Sequence, residues 1–257
     1  MKTLSLIIPL YNEEERIEKT IKALRKGFYF HGLKLEKVIF VDDGSEDETA
    51  YRIHQAGLDQ ALGVPVEVIS YSVNRGRGTA IRTGALSSSS DYTLYCDADF
   101  SIPLENLESF LPYLGNYDLL IGSKKKPGAK AEVGRGWLRS LVGFGHTLIA
   151  SLVLGVFAWD FQGGFKIFSK RFIDEVFPKL TINRWGFDLE VIFLAKKLGY
   201  RMIESPVTWK PIEKSRVNLL RDSLRALKEM TAIKLGWLRG DYLPQPDSVP
   251  QPFYAPA

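Results

Sequence analysis

Through the first 122 residues, short runs rich in β-branched and aromatic side chains alternate with stretches whose apolar positions recur every three or four residues. The runs Leu4–Leu10, Lys37–Val41, Val66–Tyr71, Tyr92–Cys96 and Asp118–Gly122 predict strands. Between them, Glu14–Phe30, Glu46–Ala61, Thr79–Ser87 and Leu104–Leu114 predict helices. Such alternation predicts the α/β class, with a mostly parallel sheet flanked by helices. Ligands of such sheets sit beyond the carboxyl ends of the strands. That is where the unusual polar residues fall: Tyr11-Asn12-Glu13, Asp42-Asp43-Gly44-Ser45, Asn74–Gly78 and Asp97-Ala98-Asp99, each after a predicted strand.

From residue 124 the pattern changes. Lys124-Lys125-Lys126 and Lys130 form a basic loop, followed by Ser140–Ala158, which holds no Lys, Arg, Asp or Glu. That run has the length of a membrane span. A single crossing would part residues 160–257 from Asp97 and Asp99, and no second apolar run returns them. A helix in the membrane interface, or packed on the domain, is therefore expected. Leu219–Leu238 is a basic amphipathic pattern, and the Pro-rich stretch from Pro244 is expected to be a disordered tail.

Composition narrows the classes. Cys96 is the sole cysteine, and His31, His54 and His146 are scattered, which excludes an internal disulfide and a multi-cysteine metal site and disfavours histidine-built zinc. A reducing, cytoplasmic-side setting is the expectation, with no signal peptide before a strand that starts near Thr3. The net charge of +4 hides an asymmetry: residues 1–123 carry 12 Lys/Arg against 18 Asp/Glu, and residues 124–257 carry 22 against 12. An acidic first half suits a metal, and a basic second half suits phosphate, anionic lipid or nucleic acid.

Two alternate carboxylates at a strand end, Asp97 and Asp99, can hold a hard divalent cation against a diphosphate; alone they also fit an acidic turn. Asp42 and Asp43 at a neighbouring end weigh towards the cation. Asn74–Gly78 is neither a Walker A loop nor a dinucleotide fingerprint, which leaves a strand-to-helix turn or direct phosphate contact. Lys124–Lys126 reads as a solvated loop or an anion site, and Ser140–Ala158, near Arg135 and Arg139, as core or interface.

In order, Pro9–Glu14, Val41–Ser45, Asn74–Gly78 and Asp97–Asp99 resemble the family 2 glycosyltransferases. Gly164-Phe165-Lys166, Arg184–Asp188 and Trp209 with Lys214-Ser215 resemble the branch acting on polyprenyl or dolichyl phosphates. The resemblance spans residues 3 to about 239. It implies a GT-A fold with a Rossmann-like sheet, interfacial amphipathic helices in the C-terminal half, a nucleotide-sugar donor, a divalent metal (Mg2+ or Mn2+) and inversion at the anomeric carbon. It further implies one domain over residues 1–240, with a nucleotide-sugar half (1–123) and an acceptor and membrane half (124–240), before a tail at 241–257.

Residue by residue, the resemblance implies nucleotide-sugar contacts at Pro9, Tyr11, Glu13, Val41, Asp43, Arg77, Asp97, Ala98, Asp188, Lys210 and Arg216, with Asp97 and Asp99 catalytic. Lys124 and Arg139 match acceptor-phosphate positions. Asp99 matches a metal ligand, and Ser101 stands where mannose-transferring members place a glutamine ligand. The expected partners are UDP-glucose, with GDP-mannose as the alternative, a polyprenyl phosphate and the cytoplasmic face of a membrane bound peripherally, with no nucleic acid. The rival readings are a sugar-phosphate nucleotidyltransferase, which wants a Gly-rich, Arg-containing loop where Pro9–Glu14 stands, and a non-catalytic nucleotide- or lipid-binding protein.

Overall fold

The structure, a computed structural model, describes residues 1–26, 32–132, 137–210 and 219–243. The elements run β1 (Lys2–Leu10), α1 (Glu14–Arg25), β2 (Leu33–Asp42), α2 (Thr49–Gln55), α3 (Leu58–Leu62), β3 (Val66–Ser70), α4 (Arg77–Leu86) and β4 (Tyr92–Cys96). After a 3-10 segment over Leu104–Tyr113 come β5 (Leu119–Ser123), β6 (Lys130–Ala131), α5 (Trp137–Leu154), β7 (Phe165–Ser169), α6 (Lys170–Val176) and α7 (Phe187–Lys197). β8 (Met202–Pro206), β9 (Thr208–Trp209) and α8 (Leu219–Arg239) complete the described chain.

All five predicted strands are present, and they join β7 and β8 in one sheet of order β3-β2-β1-β4-β7-β5-β8. On β1, Ile7 packs with one core cluster while Leu6 and Ile8 pack with another, so both faces of the sheet are covered. The predicted helix over 46–61 starts later and breaks at Gly57, whose φ of +54° suits glycine. The predicted helix over 104–114 is a 3-10 segment; Pro112 within it lacks the N–H that an α-helical bond would use. The predicted Phe28–Phe30 helix end and the tail from Pro244 lie outside the described residues.

β7 is antiparallel to both neighbours, β4 and β5. Its start, and not its end, therefore lies at the edge where β1, β2, β4 and β5 finish. This reversal delivers Gly163-Gly164 to the side of Asp97: Asp97 N–H donates to the Gly164 carbonyl at 3.2 Å. A Cβ on Gly164 would collide with the Asp97 carboxylate. No helix among the described residues is long and apolar enough to cross a membrane.

Candidate active site

The strand ends enclose a cleft of about 360 Å³, floored by Pro9, Tyr11, Glu13 and Ala98 and walled by Asp43, Arg77, Asp97, Asp99, Arg184 and Trp185. Asn12 turns the chain out of β1 at φ +52°, a conformation asparagine tolerates. Its N–H donates to Ser45 Oγ at 2.9 Å, and Ser45 is itself bound to Asp42. Glu13 is forked by Arg16, with contacts of 2.7 and 2.8 Å.

The Asp43 carboxylate is already employed. Its oxygens accept the N–H groups of Arg75 and Gly76, both at 2.8 Å, and the Asn74 amide at 2.9 Å. Burial pushes its carboxyl up despite these donors and the nearby Arg184. The Asn74–Gly78 segment is thus a strand-to-helix turn whose N–H groups serve Asp43. Its glycines answer to close packing: a Cβ on Gly76 or Gly78 would strike residues 182–187. That contact brings Arg184 and Trp185 across to form the far wall.

Asp97 and Asp99 stand together after β4. Asp97 Oδ1 accepts Arg77 Nη2 at 2.7 Å and the Tyr95 hydroxyl at 3.1 Å. Asp99 accepts the Ser101 N–H at 2.8 Å across a turn that holds Phe100 at φ +44°. A bulky residue there is strained, as backbones near functional sites often are. Burial, and then the Asp97 charge, push the Asp99 carboxyl up, partly offset by Lys124. Two crowded carboxylates with an elevated charge cost are a donor set that a hard cation would relieve. Among the described residues no group of three or more His, Cys, Asp or Glu gathers to complete a protein-only cage. The remaining positions would fall to phosphate and water oxygens, as suits Mg2+ or Mn2+.

Other expected residues lie elsewhere. The Val41 side chain is core, fully buried with Ile7 and Ala80, and does not line the cleft. Asp188, 2% exposed, is turned inward onto Lys166 at 2.6 Å, with Arg77 3.7 Å away. Lys210 directs its ammonium to Glu132 at 3.2 Å, beside a separate groove, and only its N–H, donated to the Ser101 carbonyl at 2.7 Å, ties it to the site. The Ser101 hydroxyl lies beside the carboxylate pair and accepts the Lys124 ammonium at 3.2 Å. Lys124 also lies over the Trp209 ring, 5.3 Å from its centroid. Arg216, Lys214 and Ser215 lie outside the described residues, as does Arg135; Arg139 falls in the first turn of α5. Sequence reasoning gave no role to Arg16, Arg184, Trp185 or Lys166. The spacing of Arg16 from Glu13 on one helical turn, and a lysine inside the apolar run Phe165–Phe168, were the available signals.

The model of the glycosyl transferase family 2 matches residues 5–177, from β1 through α6, which takes in both Asp43 and the Asp97–Asp99 pair. The chain belongs to this family. It is a glycosyltransferase. Relatives include a dolichyl-phosphate beta-glucosyltransferase of Dictyostelium discoideum, 30% identical, with 92% of this chain and 75% of that one aligned. The Homo sapiens protein of the same name is 32% identical over 93% of this chain and 77% of its own. Among solved structures, glucosyl-3-phosphoglycerate synthase from Mycobacterium tuberculosis in complex with UDP superposes with a TM-score of 0.62 at 18% identity, covering 90% of this chain and 80% of that one. The same enzyme with Mn2+, UDP-Glc and phosphoglyceric acid gives a TM-score of 0.63 at 18% identity, covering 90% and 79%. At that identity the likeness is one of fold, the GT-A arrangement of a mostly parallel sheet with one reversed strand.

Proposed function

We propose that the chain transfers glucose from UDP-glucose to a polyprenyl phosphate of the dolichyl type, working peripherally at the cytoplasmic face of a membrane. The observation that carries this reading is the position of the basic loop after β5. Lys124 reaches towards the paired carboxylates through Ser101, while the next residue, Lys125, donates to the Gly143 carbonyl at 3.0 Å and Thr147 Oγ1 at 2.7 Å on α5. The outer face of α5 exposes Phe144, Leu148, Ile149 and Leu152. A phosphate carried on a hydrocarbon chain would meet Lys124 with its headgroup and this apolar face with its lipid. The relatives' names supply the same acceptor and sugar.

In this reading Pro9, Tyr11, Glu13, Arg77, Asp97 and Ala98 bind the donor, Lys124 and Arg139 hold the acceptor phosphate, and Asp43 keeps the Asn74–Gly76 turn in place. Asp99, with Asp97 beside it, would hold Mg2+ or Mn2+, which when bound stabilises charge on the departing diphosphate. An acceptor phosphate oxygen forms the new bond to the anomeric carbon from the face opposite the diphosphate, whose C–O bond breaks with its electron pair. A phosphate monoester has a second pKa of about 6, so at pH 7 it attacks as a dianion and has no proton to lose. General-base catalysis of the kind an alcohol needs is then dispensable. Asp188, turned away from the cleft, agrees with that.

The test is a panel of UDP-glucose, UDP-galactose, UDP-N-acetylglucosamine and GDP-mannose against one polyprenyl phosphate, with the lipid product weighed by mass spectrometry. The expected result is a hexosyl-phosphoryl-polyprenol from UDP-glucose, with nucleoside diphosphate released only when the lipid is supplied. Transfer from GDP-mannose alone would overturn the donor. Nucleotide exchange on a free sugar phosphate would overturn the class.

A further inference from the structure

Lys166 is the least expected charge in the molecule. It sits at the centre of the sheet, opposite Tyr95 on β4 and Ile121 on β5, and is completely buried. Removing an ammonium from water is costly unless partners compensate, and an apolar residue of similar length would pack there without that cost. Its partners are the Gly163 carbonyl at 2.6 Å, the Phe161 carbonyl at 3.2 Å and Asp188 Oδ1 at 2.6 Å. From Asp188 the row continues through Arg77, 3.7 Å away, to Asp97, 2.7 Å beyond it. Arg77 packs on two aromatic rings, 5.2 Å from the centroids of both Tyr95 and Trp185, and divides its two terminal nitrogens between the carboxylates, Nη2 to Asp97 and Nη1 towards Asp188. Lys166 also fixes the residue next to Gly164, the glycine against which Asp97 packs.

We propose that Lys166 is a positioning residue: by holding Asp188 it keeps Arg77 on Asp97, and so sets how much of the Asp97 charge is left to the cation and donor in the cleft. The proposal deepens the reading given above and rests on it for the turnover measurement alone. If Lys166 is replaced by an apolar residue, Asp188 keeps Arg77 as its only cationic neighbour among the described contacts. Arg77 is then drawn off Asp97, which leaves the Asp97–Asp99 pair more negative and less well aimed. Making position 188 neutral as well removes the competitor and returns Arg77 to Asp97.

The experiment compares wild type, Lys166→Met, Asp188→Asn and the double variant by two readouts. One is Mn2+ binding without nucleotide, followed by the electron paramagnetic resonance of free Mn2+; the other is kcat and donor KM for sugar transfer to polyprenyl phosphate. Lys166→Met is expected to bind Mn2+ at least fivefold more tightly and to lose at least tenfold in kcat. The double variant is expected to return towards wild-type Mn2+ affinity and to regain at least fivefold in kcat over Lys166→Met. A role in packing alone would weaken both readouts in Lys166→Met, with no recovery in the double variant, and would overturn the proposal. Should Lys166→Met not fold, the double variant decides. Turnover within tenfold of wild type supports the proposal; a larger loss in a double variant that melts cooperatively overturns it, because Asp188 then acts in its own right. If wild type transfers no sugar to the lipid, the proposed acceptor fails while the Mn2+ comparison still tests the role of Lys166.

Discussion

Asp99 is costly where it stands. Burial and the neighbouring Asp97 raise its carboxyl, so the folded protein holds that proton more readily than the unfolded chain does. The associated stability is present at acid pH and is lost as pH rises through the raised value. At neutral pH the charge therefore opposes folding, which is a common feature of sites built for a cation. Asp99→Asn keeps an oxygen for the Ser101 N–H and removes the charge. It is expected to lower turnover by roughly 100- to 1,000-fold, the scale of losing a transition-state electrostatic contact. The same variant, without metal, should melt higher than wild type at pH 7.5, with the advantage shrinking as pH falls towards the ordinary carboxylate range. Initial rates and melting curves across pH check both halves; a lower melting point at pH 7.5 would contradict the stated cause. At this scale the carboxylate pair was legible, because alternate acids at one strand end, with Asp42 and Asp43 at the neighbouring end, repel unless something cationic or hydrogen-bonding sits there. The employment of Asp43 was not, since its donors at 74–76 meet it only once β2 and β3 are paired.

At the scale of elements, α5 answers a question that its composition leaves open. The uncharged run offers no polar stripe to mark an outer face, so both core and interface readings stay open for it, with the neighbouring Arg135 and Arg139 weighing towards the interface. Packing divides it: Thr147, Ala150 and Leu154 are buried, whereas Leu152 is 74% exposed and Phe144 59%. Inward and outward faces are both apolar, and the outward one continues into Phe157 and Trp159. Replacing Leu148 and Leu152 with serine should leave the fold intact and lower binding to anionic vesicles by roughly tenfold or more, given about 25 cal/mol per Å² of apolar surface returned to water. Vesicle co-sedimentation measures it; unchanged binding would move the membrane face elsewhere. α8 reaches the cleft from behind, where Glu229 accepts the Gly186 N–H at 2.7 Å, next to Trp185. Glu229→Ala would leave that N–H unpaired and loosen the Arg184–Trp185 wall, at a cost of about 1–3 kcal/mol in a buried setting. A several-fold rise in donor KM with kcat little changed is expected from steady-state kinetics.

Over the whole molecule, the halves of opposite charge fold against one sheet, and the basic half carries the exposed apolar helices. Membrane attraction should therefore have two components: apolar burial, which salt leaves in place, and basic residues worth about 1 kcal/mol each near an anionic surface, which salt screens. Binding to phosphatidylserine vesicles is expected to weaken at least tenfold between 0.1 and 0.5 M NaCl, and alkaline carbonate should release the protein. Retention through both treatments would require a membrane-crossing segment, which none of the described helices provides.

The alternation of strands and helices, the strand-end polar residues and the Asp97–Asp99 pair were set by local sequence, because buried parallel strands must be apolar and ligand-facing ends are free not to be. Local pattern also placed Tyr11, Glu13 and Lys124 at the right edge. What only the tertiary structure decided were the relations between distant segments. The reversal of β7 puts Gly164 under Asp97, and the turn at 74–78 is shaped by residues 182–187. Lys210 is drawn to Glu132 and Asp188 to Lys166, away from the cleft that their motifs suggested. The physical reason is common to these cases. A motif specifies which side chains are available at a strand end, whereas the direction each one takes is settled by the charge or close contact it meets after folding, from a segment well separated along the chain.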